Sequence, residues 1–324
     1  MDIGSLIDGA TIVITGGSGT LGQALVAELL VYHPRKLVIF SRSESRQAAM
    51  KQQWPEDGGP LRYLIGDVRD ADRLRYAFDG ANIIIHAAAL KRVEVCEREP
   101  REAVLTNVIG TLHAAEAARE CGADRFLFIS SDKATAACTL YGGTKYVAER
   151  LICAFNSYAG QRRIRYSAVR YGNVLGSTGS VLHTFASATG KVPITDPAMS
   201  RFFLTPPAAA RFCLSSLVLM RGGEVFVPKL PAMRIADMAR ALAPDAEHEI
   251  IGLRGAEKLA ECMISADESR WTVELSDRYA ILPTMAYWPM SPYPDARPVP
   301  PGFAYTSETA EQLTPETLTE MLNA

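Results

Sequence analysis

The chain has 324 residues, 48% of them hydrophobic and 22% charged, with a formal net charge of −2. That is the make-up of a globular protein large enough for one big α/β unit or for two domains sharing a cleft. The charge balance gives no electrostatic reason to expect nucleic acid or an anionic membrane as partner, and apolar runs such as Ile83-Ile84-Ile85 fall far short of a membrane span.

The first half alternates short β-branched runs with longer helical stretches, which predicts a parallel sheet with crossover helices. Strands are expected at Thr11 to Ile14, Lys36 to Phe40, Leu61 to Ile65, Asn82 to Ile85, Arg125 to Ile129 and Ile164 to Val169. A helix after the first strand carries Leu21, Leu25, Leu29 and Leu30 on one face. An alanine-rich helix lies between the fourth and fifth strands and ends near Cys121-Gly122. This pattern predicts a Rossmann-like, doubly wound parallel sheet. Beyond Tyr171 the alternation breaks down and proline becomes frequent, and the segment from Pro228 to Ile235 reads as extended. Residues 1–170 are therefore expected to form a dinucleotide-binding domain. Residues 171–324 are expected to form a smaller substrate-binding lobe, interleaved with late elements of the sheet and loop-rich at its proline-dense end.

Met1-Asp2-Ile3-Gly4 lacks the basic and apolar segments of a secretion signal, so a cytoplasmic location is expected. Six cysteines without a C-x-x-C pair, and five histidines without ligand spacing, predict reduced thiols and no metal site.

Directly after the first strand comes Gly16-Gly17-Ser18-Gly19-Thr20-Leu21-Gly22. Gly16 and Gly19 allow a tight turn and a close backbone approach to a pyrophosphate; Gly22 allows the helix to pack closely on the sheet. The helix then presents free N–H groups to the anion. The second strand ends in Phe40-Ser41-Arg42-Ser43, with no acidic residue to hold a ribose 2′-hydroxyl. Ser41 and Arg42 suit a 2′-phosphate, which favours NADP over NAD, although Arg42 also fits a solvated loop position. Asp67, with Val68, stands where an adenine edge would lie, and Ala87, Ala88 and Ala89 are small enough for a cofactor to lie against them. His86 reads equally well as a core histidine and is given no catalytic role.

Ser130-Ser131-Asp132-Lys133 follows the fifth strand, and Tyr141 and Lys145 stand four apart in Tyr141-Gly142-Gly143-Thr144-Lys145. On a helix these two point the same way. A lysine ammonium beside a tyrosine favours phenolate, making Tyr141 a base for an alcohol that loses hydride, with Ser131 binding the same oxygen. Joined to the glycine motif, this constellation resembles the extended short-chain dehydrogenase/reductase family. Asp132 and Lys133, with Tyr141 retained, resemble that family's C5-inverting UDP-N-acetylglucosamine 4,6-dehydratases. The resemblance implies that Lys133 takes the C5 proton of the sugar and Asp132 protonates the departing C6 hydroxyl. It demands a neutral Lys133 and a protonated Asp132, which an ordinary ion pair would not give.

The likeness extends over nearly the whole chain, through Thr106-Asn107, Val169-Arg170-Tyr171-Gly172-Asn173, Arg201-Phe202, the run from Gly223 to Lys229, and Glu257-Lys258. It implies a UDP-sugar substrate and a homo-oligomer. Lys91, Asn173, Lys229, Arg234, Arg254 and Glu257 are the candidate substrate-binding residues, each with an ordinary structural role as its alternative. The chain departs from the family pattern at Arg92, Glu94, Thr139, Thr178 and Ala260. These positions put substrate affinity in question and leave the reacting groups untouched. The alternatives are a C5-retaining dehydratase or a 4-epimerase acting on another nucleotide sugar, or a catalytically silent NADP-binding regulator.

Overall fold

The computed structural model describes residues 2–323 apart from 178–181, 183–184, 186–189, 254 and 285–292. Its centre is a twisted sheet of ten strands among the described residues. Six of them are β1 (Thr11–Thr15), β2 (Lys36–Ser41), β3 (Leu61–Ile65), β4 (Ile83–His86), β5 (Arg125–Ile129) and β6 (Arg165–Val169). They run parallel in the order β3-β2-β1-β4-β5-β6, the doubly wound order with its switch point between β1 and β4. The chain beyond residue 170 supplies the rest. β7 (Val225–Pro228) pairs parallel with β6, and β8 (Thr272–Glu274), β9 (Arg278–Ile281) and β10 (Arg297–Pro298) extend the edge antiparallel.

Strands buried on both faces read as continuous apolar runs because helices cover each side. In β1, Val13 packs in the core on one face, and Ile12 and Ile14 in the core on the other. The fourth strand begins one residue later than the apolar run predicts. Asn82 instead acts as a connector, its side-chain oxygen accepting from the Thr11 N–H at 2.8 Å.

A separate cluster that includes Val192, Ile194, Phe203, Met233 and Met238 forms the core of the later segment. The expected extended run ends at Arg234; Ile235 starts a helix to Leu242 that buries Met238 and Ala239. The C-terminus is also less irregular than its prolines imply, since Pro315–Asn323 is helical and buries Leu318. The buried Arg170 guanidinium ties the two halves together by pairing with Glu149, on the helix Leu140–Phe155, and with Glu268 at 2.9 Å. Among the described residues no helix is long and apolar enough to cross a membrane.

Candidate active site

A cleft of about 1580 Å³ opens at the carboxyl ends of the parallel strands, where ligands of such sheets bind. One wall is the turn from Gly16 into the helix Thr20–Leu30. Gly16 has φ +68°, and a Cβ there would stand 2.8 Å from the Ala88 amide nitrogen. A Cβ on Gly22 would overlap the backbone of Gly17. Both positions therefore require glycine, and the helix starts at Gly19 with no side chain capping its N–H groups. This bare cradle fits a dinucleotide pyrophosphate. Ser18, Thr20, Ser41, Arg42, Val68, Ala87, Ala88 and Ala89 line the same end.

The reacting groups sit deeper. Ser130 N–H donates to the Val169 carbonyl and Asp132 N–H to the Tyr171 carbonyl, so pairing with the chain after β6 sets the path of the loop after β5. Ser131 caps the short turn Asp132–Ala134 by accepting from the Lys133 N–H at 3.3 Å. Tyr141 and Lys145 project from the helix Leu140–Phe155, whose N-cap is Thr139, accepting from the Gly142 N–H at 3.1 Å. The threonine at this departure from the family pattern thus retains a helix cap. Asn107 lies in a π-helical turn, Leu105–Ile109, the kind of helix defect often found at functional sites. Its carboxamide bonds both the N–H and the carbonyl of Leu90 and reaches the Thr144 hydroxyl at 3.0 Å. It thereby staples the cofactor wall to the helix that carries Tyr141.

Burial governs the protonation states here. It pushes the Tyr141 phenol up to about 12, against a hydrogen bond from Ser131 and the Lys133 charge. It brings Lys145 down to about 7, with Glu149 opposing. The Lys145 ammonium donates to the Ile129 carbonyl and lies 4.0 Å over the Phe128 ring. The expectation that Lys145 depresses the tyrosine is therefore corrected: Lys145 is engaged by a backbone carbonyl and an aromatic face, and the cation that lowers Tyr141 is Lys133.

Lys133 Nζ is 3.1 Å from Asp132 Oδ1 and 3.0 Å from Glu261 Oε1. Asp132 is fully buried, and burial, reinforced by Glu261, raises its carboxyl above the usual range against the pull of Lys133. Lys133 is raised as well, but by charge: its two carboxylate neighbours outweigh desolvation and hold it as an ammonium. Glu261 is also buried, yet Lys133 and Arg201 keep its carboxyl below the ordinary value.

The remaining sequence candidates divide. Lys91, Asn173 and Glu257 line the cleft, and burial together with Arg46 and Arg92 lowers the Lys91 ammonium. Asp67 is not among the lining residues; its carboxylate is held by Arg69 at 2.7 Å and by Arg42 at 3.5 Å, while its neighbours Gly66 and Val68 face the space. Lys229 stays away from the cleft, pairing with Glu274 of β8 at 2.7 Å. Arg234 is exposed at a strand end and is not a lining residue either. Charge is the only feature of either that suits a diphosphate, and charge does not say which way a strand's side chains point. Arg254 and Thr178 lie outside the described residues. Sequence reasoning passed over Arg46, one turn after Arg42 and lining the same end, and gave no role to Glu261. The only signal for Glu261 was its place in the run Glu257-Lys258-Leu259-Ala260-Glu261.

A family model described as polysaccharide biosynthesis protein matches residues 12–283. The chain belongs to this family. It is 42% identical over 285 residues to a UDP-N-acetylglucosamine 4,6-dehydratase (inverting) of Campylobacter jejuni, covering 86% of this chain and 85% of that protein. A UDP-glucose 4-epimerase of Rickettsia rickettsii is 34% identical over 282 residues, covering 84% and 82%. Among solved structures, Pen from Bacillus thuringiensis superposes with a TM-score of 0.91 at 32% identity, covering 98% of both chains. The fold is that of the Rossmann-type nucleotide-sugar dehydratases and epimerases.

Proposed function

We propose that this chain dehydrates UDP-N-acetylglucosamine to a UDP-4-keto-6-deoxy-N-acetylhexosamine with inversion at C5, using NADP. The observation that carries the reading is Lys133, lining the glycine-lined cleft with Ser131, Tyr141 and Lys145 and paired with Asp132, which is buried directly behind the lining. The activity named for the Campylobacter relative supports it. Ser131 and Tyr141 bind the C4 hydroxyl, and Tyr141, once deprotonated, takes its proton as C4 loses hydride; burial opposes that phenolate and the Lys133 charge favours it. Lys133 then takes the C5 proton, which the new C4 ketone has made acidic, while Asp132 gives a proton to the C6 hydroxyl, which leaves as water. A nicotinamide dinucleotide, when bound, would supply the hydride acceptor for C4 and the hydride donor for C6. The reaction closes when C5 takes a solvent-derived proton on the face opposite the one Lys133 deprotonated, which inverts that centre. Arg42 and Arg46 would hold the dinucleotide's 2′-phosphate, the cradle from Gly16 to Gly22 its pyrophosphate, and Lys91, Asn173 and Glu257 the nucleotide sugar. The reading assigns residues 1–170 to the cofactor and most substrate contacts to 171–324, in a cytoplasmic homo-oligomer.

The test is proton NMR of UDP-N-acetylglucosamine turned over in D2O. A new C6 methyl signal with deuterium at C5, and ring couplings of the inverted sugar, is the expected result. Retained couplings would make the enzyme a C5-retaining dehydratase. Epimerisation at C4 without a methyl signal would make it a 4-epimerase, a reaction with no task for Asp132 and Lys133.

A further inference from the structure

The proposed chemistry needs Lys133 as a free amine and Asp132 as a carboxylic acid, whereas the resting arrangement is an ion pair. Two residues outside the Ser131, Asp132, Lys133, Tyr141 and Lys145 group bear on how the pair changes state. Glu261 Oε1 lies 3.0 Å from Lys133 Nζ, and Arg201 Nε lies 3.6 Å from the same Glu261 oxygen. Arg201 is itself fixed, donating to the carbonyls of Ser200 at 2.7 Å, Lys258 at 3.0 Å and Leu259 at 3.2 Å. Glu261 is held by its own backbone N–H, which donates to the Ser307 hydroxyl at 3.0 Å. One oxygen of each carboxylate, Asp132 Oδ2 and Glu261 Oε2, is buried without a hydrogen-bond partner, so both carboxylates retain acceptor capacity.

We propose that Glu261, with Arg201 as its counter-ion, is the positioning residue for Lys133, holding the side-chain nitrogen in place while its proton passes to Asp132. This rests on the reading of Lys133 as base and Asp132 as acid. The charge count explains the arrangement. At rest the four groups are Asp132 carboxylate, Lys133 ammonium, Glu261 carboxylate and Arg201 guanidinium, with net charge zero. Moving one proton from Lys133 Nζ to Asp132 Oδ1, across 3.1 Å, gives carboxylic acid, amine, carboxylate and guanidinium, again zero. No charge enters or leaves a site where an unbalanced one would be costly. After the transfer the amine still donates an N–H to Glu261, which fixes the direction of its lone pair. Without Arg201, Glu261 would hold the proton on Lys133; without Glu261, Arg201 would repel the ammonium and leave the amine unanchored. Lys258, whose ammonium donates to the Thr135 carbonyl at 2.7 Å, and the Tyr141 phenol are the other titratable groups facing the cluster.

The prediction is a pair of opposite shifts, because the two variants remove charges of opposite sign. In the full-length, NADP-loaded protein, Glu261→Gln should move the acid limb of the kcat/KM–pH profile to lower pH by roughly one to three units, and Arg201→Met should move it to higher pH. The Lys133 side chain, followed through its 13Cε resonance in lysine-labelled protein and assigned by its loss in Lys133→Arg, should titrate in the same two directions. Circular dichroism and cofactor affinity identify a folded variant, and either folded variant decides. A limb and a resonance that do not move, or that move the same way in both variants, overturn the proposal. Turnover of the wild type in D2O without deuterium at C5 removes the assigned base instead, and the lysine titration still decides the role of Glu261.

Discussion

Gly142 stands between Tyr141 and the rest of its helix, and its missing side chain is what lets the Asp132–Ala134 turn dock there. A Cβ at this position would overlap the Lys133 carbonyl oxygen and stand 3.1 Å from its carbon and 3.2 Å from the Ala137 methyl. Ordinary carbon contacts lie at about 3.5–4.0 Å, and the oxygen is closer still, so Gly142→Ala must push the turn back by roughly 1 Å. Overpacking of that kind costs about 1–3 kcal/mol of stability. The turn carries Asp132 and Lys133, and a displacement near 1 Å at reacting groups costs about 10²-fold in rate. The neighbouring Gly143→Ala is the matched control, because a Cβ there meets nothing within 4 Å and alanine favours helix by up to about 1 kcal/mol. Product formation by NMR, thermal unfolding and cofactor affinity should be measured for both. Gly142→Ala should lose activity out of proportion to stability and keep its cofactor, and Gly143→Ala should resemble the wild type or be more stable. Equal activity in the two variants would show that the helix does not set the position of the turn.

Lys133→Ala should stop C5 exchange and lower turnover by about 10²–10⁴-fold, the range of a lost general base; tight cofactor binding by the inactive variant would separate chemistry from folding. Arg42→Ala should weaken NADP by about 10- to 100-fold, one charge-assisted contact, while leaving NAD nearly unaffected; equal losses by fluorescence titration would end the 2′-phosphate assignment. His86 is buried between the Thr15 and Thr111 hydroxyls, and burial lowers it from 6.5 to about 3. The folded chain therefore binds this proton less readily than the unfolded one. The stability it contributes is whole above pH 6.5 and falls as pH drops through the window toward 3, by about 2 kcal/mol between pH 7 and pH 5. Urea unfolding of wild type and His86→Gln at those two pH values should show that difference shrinking in the variant.

Several features were legible in the chain because the forces behind them act over a few residues. Six short apolar runs separated by helical stretches specify a parallel sheet, and the strands lie within a residue of their predicted positions. The spacing of Gly16, Gly19 and Gly22 follows from a turn and a helix–sheet contact that admit no side chain, and Tyr141 and Lys145 share a helix face by the helical repeat alone. The alternation specifies a doubly wound sheet, while its order, with the switch point between β1 and β4, is a property of the fold.

Electrostatic state and long-range contacts were decided only by the fold. Lys133 meets Glu261, 128 positions further along the chain, because the segment ending in Glu261 packs over the loop after β5. No local pattern encodes that meeting. Lys229 and Arg234 point away from the cleft although their charge suits a diphosphate, since orientation depends on which strand each pairs with. Tyr141 is raised and Lys145 lowered by burial, a property of the assembled core that exceeds the influence of any sequence neighbour. The sequence by itself determined which groups are present and the local geometry of their turns and helices. Tertiary structure decided which charges face one another and how much water they keep, because desolvation and Coulomb energies depend on distances that only the folded chain defines.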